Sequence, residues 1–140
     1  MKTNQVILSF ALVLLSTFAF GQAEHTATLV CDIQALRNNE KPSEVCYFAE
    51  DPETPPEIFT IDALVGDEII WDGEESILIK EIIHKGGENI FAENPRGNGQ
   101  IKARPNKPTN GNPYRYMIQF RIDGEEKVYV IDPLIKTRNQ

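Results

Sequence analysis

The sequence predicts an all-β protein, an antiparallel Greek-key β-sandwich of seven to nine strands, and three observations carry that expectation. Apolar side chains recur at every second position in segment after segment, the period of a strand buried on one face. The stretches between those segments are rich in Asn, Asp, Gly and Pro, the residues of turns and strand breaks. Beyond the apolar N-terminal run, helix-period patterning is almost absent, which leaves short strands at near-regular spacing as the organising pattern.

The first strand is expected over His25 to Ile33, "HTATLVCDI", with Ala27, Leu29, Cys31 and Ile33 on one face and Thr26, Thr28 and Asp32 on the other. "RNNEKPSE" reads as turn material, and "VCYFA" (Val45 to Ala49) as a second strand that can pair with the first and set Cys46 opposite Cys31. "DPETPPE" then halts pairing, because Pro52, Pro55 and Pro56 have no N–H to give a ladder. In "IFTIDALV", Phe59, Ile61, Ala63 and Val65 alternate with Thr60 and Asp62; Gly66-Asp67 turns the chain, "EIIW" follows as a strand, and Asp72-Gly73 turns it again. "SILIKEIIH" (Ser76 to His84) also fits a three-four spacing through Ile79, Ile82 and Ile83, but its isoleucines and the Lys85-Gly86-Gly87 stop favour a strand, bulged along its length. Residues 92 to 113 form a long Asn-, Gly- and Pro-rich loop with one brief strand at Gln100 to Arg104. "YRYMIQFRIDGEEKVYVIDPLI" is the clearest signal: Tyr114, Tyr116, Ile118, Phe120 and Ile122 line one face, Asp123-Gly124 turns, and Val128 to Ile131 returns as the second arm of a hairpin.

Met1-Lys2 followed by the apolar run Val6 to Phe20 reads as a cleavable signal peptide. The run is shorter than the roughly 20 residues a spanning helix needs. It leads into Ala19-Phe20-Gly21, which places cleavage after Gly21, with Ala23 as the second choice. A lipoprotein is excluded because Thr28-Leu29-Val30, not small residues, precede Cys31. Residues 22 to 140 then form a single domain of 119 residues, secreted or periplasmic and not membrane-embedded. In an exported chain the two cysteines, Cys31 and Cys46, with 14 residues between them, are expected to form a disulfide.

Charge divides unevenly along the chain. Residues 22 to 94 hold 17 acidic and 4 basic side chains, residues 95 to 140 hold 4 and 9. Strands of the two halves lying side by side would account for this through cross-strand attraction. A basic patch for an anionic partner is the sharper alternative, against which the acidity of the whole chain argues. That acidity and export also exclude nucleic acid as a partner.

"FTIDALVGDEIIW" (Phe59 to Trp71), followed by a strand ending at His84, resembles the plastocyanin and azurin type of cupredoxin, in which a Gly-Asp turn precedes an aromatic-bearing strand. The resemblance spans at most Ile58 to Ile135 and implies a cupredoxin-like sandwich, with an immunoglobulin-like one as the alternative. It also implies His84 as the first copper ligand, with a cysteine, a histidine and usually a methionine in the loop before the last strand. Here that loop is "IDGEEKV", which holds none of the three, so no type-1 copper site and no cofactor is expected. The expectation for His84 is a strand-end ring bonded to a backbone carbonyl; the alternative is a metal-binding cupredoxin relative that uses it. Zinc lacks its ligand spacing, "DGEE" lacks the alternating oxygens of a calcium loop, and Ser43 and Ser76, the only serines after the leader, sit outside any nucleophile elbow. The carboxylates Asp67-Glu68 and Asp72 with Glu74 and Glu75 read as a solvated acidic edge, and no enzyme is expected.

What remains is a non-catalytic binding or interaction module. Its expected surface is the 92 to 113 loop, with Arg96, Lys102, Arg104 and Lys107, together with an exposed ribbon of Arg115, Gln119 and Arg121 on the hairpin. Such a surface suits an anionic polysaccharide or an envelope protein. Trp71 is expected in the core, with sugar stacking as the alternative.

Overall fold

The computed structural model describes residues 22 to 140; the expected leader, residues 1 to 21, lies outside the described residues. Ten strands and two short helices follow in the order β1 (Glu24–Cys31), α1 (Ile33–Arg37), α2 (Pro42–Val45), β2 (Cys46–Phe48), β3 (Thr60–Leu64), β4 (Glu68–Gly73), β5 (Ile77–His84), β6 (Arg96–Gly99), β7 (Ile101–Ala103), β8 (Tyr114–Ile122), β9 (Tyr129–Ile131) and β10 (Leu134–Arg138). They form two sheets, β2-β1-β4-β7 and β3-β10-β8-β5-β6, with β9 beside β8. The all-β sandwich class is therefore as expected, with more strands than the seven to nine anticipated.

Neither sheet is purely antiparallel. β1 runs parallel to β4, and β10 parallel to β3. Parallel neighbours need a long connection rather than a hairpin. The chain provides one by placing β2 and β3, which lie between β1 and β4 in sequence, in different sheets. β9 and β10 keep one register against β8, with Ile118 opposite Ile131 and Arg115 opposite Leu134, so they form a single strand interrupted at Asp132-Pro133.

Alternation sets the interior. From β8, Tyr116, Ile118, Phe120 and Ile122 are buried, and from β1 and β4 come Ala27, Leu29, Ile69 and Trp71. The three-residue step from Ile79 to Ile82 marks a β-bulge: Ile79 faces Phe120 while Glu81 faces Gln119, which leaves Lys80 as the extra residue. Beyond the bulge the buried phase moves from odd to even positions, so a spacing that imitates a helix belongs to one strand.

Three elements differ from expectation. The first strand stops at Cys31 because Asp32 caps a helix there, its Oδ1 accepting the Ala35 N–H at 3.1 Å. Part of the expected turn "RNNEKPSE" is α2, which starts at Pro42, a residue preset for the first helical position. The long loop holds two strands rather than one. β6 pairs with β5 in one sheet and β7 with β4 in the other, and Gly99, at φ +127°, makes the crossing between them.

Cys31 and Cys46 are disulfide-bonded across the β1–β2 ladder, with Cα atoms 4.1 Å apart. No helix among the described residues is long and apolar enough to cross a membrane.

Candidate functional site

Three of the four loop cations of the expected basic surface are held by neighbours. Arg96 donates to Glu81 at 2.9 Å, Arg104 to Glu68 at 3.1 Å and to the Gly66 carbonyl at 3.0 Å, and Lys107 to Glu88. Lys102 is exposed on β7. Arg115 is half-buried, and its Nη1 donates to the carbonyls of Glu57 (3.0 Å) and Asp132 (2.6 Å), which ties the connector before β3 to the break between β9 and β10. Arg121 is also half-buried, with its Nε covered and unpartnered among the described residues. The exposed hairpin ribbon is thus corrected to a half-buried one: on β8, Arg121 lies opposite Leu78 and Gln119 lies between Glu81 and Val130, so flanking side chains cover it.

Ion pairing joins the two halves of the chain, in four pairs through an acid of the first half and a cation of the second and in two, Arg37–Glu125 and Lys85–Asp132, the other way round. Of the seven ion pairs among the described residues, six join the half before residue 95 to the half after it: Arg37–Glu125, Lys85–Asp132, Arg96–Glu81, Arg104–Glu68, Lys107–Glu88 and Arg138–Asp62. Strands of opposite charge do lie side by side, as the simpler reading of the sequence expects. The seventh pair joins His25 to Asp67.

Asp67 departs from the solvated acidic edge expected of it. Only 3% exposed, its carboxylate accepts the Ala23 N–H at 3.1 Å, the Leu64 N–H at 2.9 Å and the His25 ring at 2.8 Å. Burial pushes its pKa up, but the Leu64 N–H, the His25 ring and the Ala23 N–H together outweigh burial and hold the carboxyl below its ordinary value. Gly66, at φ +91°, makes the turn that aims the Asp67 side chain back into the molecule. Its partners lie on β1 and β3, so one carboxylate joins the two sheets.

His84 ends β5, and its Nε2 lies 2.7 Å from the Gly87 carbonyl, the strand-end contact expected of it. β5 and β8 are antiparallel, so Ile77 lies opposite Ile122 and His84 opposite Tyr116. The loop after Ile122, which by the cupredoxin resemblance would carry the other ligands, is therefore at the far end of the sandwich from His84, roughly 20 Å along the strand. Both cysteine sulfurs of the chain are in the disulfide. Trp71 is fully buried and donates its indole N–H to the Tyr116 hydroxyl at 3.0 Å, which removes it as a sugar-stacking surface. Burial raises the Tyr116 pKa well above its ordinary value, so the hydroxyl stays protonated.

The least neutralised surface lies elsewhere, over residues 40 to 57. It carries Glu40, Glu44, Glu50, Asp51, Glu53 and Glu57 against Lys41, and none of these takes part in an ion pair among the described residues. Sequence reading missed this face because it weighed the basic half for partners and passed over the acids between two short strands. The signal was present in the run of acids around Pro52, Pro55 and Pro56. No family model matches the chain, and no curated protein matches it.

Proposed function

We propose that this chain is an exported, non-catalytic recognition domain on a cupredoxin-like sandwich without a type-1 copper site, and that it meets its partner through the acidic face of residues 40 to 57. The observation that carries the reading is the distribution of ion pairs: among the described residues seven of the fifteen acids elsewhere are paired with a cation, while none of the six acids of this face is, Glu50 and Asp51 accepting only from the Thr28 N–H and the Thr54 hydroxyl. A protein partner with basic groups fits that face, and an anionic polysaccharide does not. Export is supported by the disulfide, which cytosolic chains rarely keep. The cupredoxin-like assignment is supported by the Gly66-Asp67 turn into the Trp71-bearing β4 and by the two-sheet arrangement. Its lack of copper is supported by the oxidised cysteines and the remoteness of His84 from the closing loop.

Retention on poly-lysine beads and on polyuronate beads tests the face. Glu44→Gln, Glu53→Gln and Glu57→Gln together should lower retention on poly-lysine more than Glu74→Gln, Glu75→Gln and Glu126→Gln, an equal change in charge elsewhere. Equal losses would reject the face. Retention on polyuronate that disappears when Arg96, Lys102 and Arg104 become alanine would return the site to the basic loop.

A further inference from the structure

Among the described residues the exposed large hydrophobics are Tyr47, Ile58, Val128 and Val130, and two of these four line grooves on the acidic face. One groove, of about 380 Å³, runs between α2 and the proline segment, with Tyr47, Pro52 and Pro55 along it and Glu44 and Glu53 at its rim. The other, of about 290 Å³, lies between α2 and β9, lined by Lys41, Pro42, Val130, Glu57 and Asp132. They meet at Ser43, which lines both. Ile58 follows Glu57 directly and is 58% exposed.

On β2, the short edge strand beside these grooves, the Cys46 N–H is bonded to the Pro42 carbonyl and the Phe48 carbonyl accepts the Asp51 N–H at 3.0 Å, so two of its outward backbone groups are already engaged and side chains carry most of the hold on a partner. The disulfide at Cys46 and the prolines at 52, 55 and 56 fix the walls beforehand, which lowers the entropy lost on docking.

Resting on the acidic face proposed above, we infer that the two grooves form one docking site for an extended basic segment of a partner protein, with apolar side chains seated against Tyr47 and Val130 and lysine or arginine facing Glu44, Glu53 and Glu57. Charge complementarity selects this occupant: Glu44, Glu53 and Glu57 take part in no ion pair among the described residues, and the one cation lining the grooves, Lys41, is outnumbered by them. The apolar centre is what separates such a segment from a polycation held by charge alone.

The test is amide chemical-shift mapping on the exported, 15N-labelled protein, titrated with a heptapeptide alternating lysine and leucine, and in parallel with lysine-serine and glutamate-leucine versions. The lysine-leucine peptide should give saturable shifts at Ser43, Tyr47, Thr54 and Val130. Tyr47→Ala with Val130→Ala should weaken it about tenfold, both side chains being exposed and dispensable to the core. Equal binding of the lysine-serine peptide, or shifts centred on β7, would overturn the grooves and leave the exported recognition domain standing. No saturable binding by either lysine peptide, or tighter binding of the glutamate-leucine peptide, would overturn the acidic face as well.

Discussion

Asp67→Asn keeps the shape of the side chain and removes its charge and one acceptor oxygen. In the native protein Oδ1 serves the Ala23 N–H, while Oδ2 serves the Leu64 N–H and the His25 ring. An asparagine presents one carbonyl oxygen and turns an NH₂ toward at least one of these donors, at a position 3% exposed. A buried donor left without a partner costs about 1–3 kcal/mol, so the expected loss at neutral pH is about 2 kcal/mol, or roughly 8 °C in melting temperature for a domain of this size. The pH dependence gives the reasoning its sign. Because the folded carboxyl titrates below the unfolded one, its contribution is complete above the unfolded value near 4 and is lost as pH falls through the folded value. Urea melts of both proteins from pH 7 to pH 2.5 should therefore show a gap that is constant down to about pH 4 and then narrows, since the asparagine has nothing to titrate. A gap that stays constant to the lowest pH would mean that shape rather than charge is at work, and one that widens would reverse the sign and refute the account.

Replacing Cys31 and Cys46 together with alanine should lower unfolding free energy by about 3 kcal/mol, the value for closing a loop of this length, read from urea melts with an unchanged slope; a loss below half of that would argue that the unfolded chain is already compact. Arg115→Ala uncovers two carbonyls in a part-buried setting and should cost about 1–3 kcal/mol, whereas Arg96→Ala removes a pair whose arginine is 77% exposed and should cost under about 1 kcal/mol. Thermal melts at low and high salt separate the two, because raising the salt should erase the Arg96 effect and leave that of Arg115.

What was legible in the sequence was whatever depends on near neighbours. β8 shows its buried face without ambiguity because four alternating core residues follow one another with nothing to disturb the phase. β5 is legible only when a bulge is allowed: Ile79 and Ile82 imitate a helical step because Lys80 is extra. β6 carries no apolar side chain in "RGNG", so nothing in its composition marks it; it is a strand because β5 offers it an edge. The same limit applies to the surface. Asp67 and Glu68 are adjacent and chemically alike, yet one is buried among donors from Ala23 and His25, which lie 44 and 42 residues upstream, and the other is half-exposed and pairs with Arg104, 36 residues downstream. Whether a charge is available to a partner depends on such long-range pairings, so counting basic residues in the loop names Arg96, Arg104 and Lys107, which the fold has already engaged, alongside the exposed Lys102. The acids of residues 40 to 57 differ because the nearest layer, α2 and the proline segment, comes from a stretch of sequence with a single lysine, and Arg115, the cation of the other half that reaches it, bonds the Glu57 carbonyl and no carboxylate there.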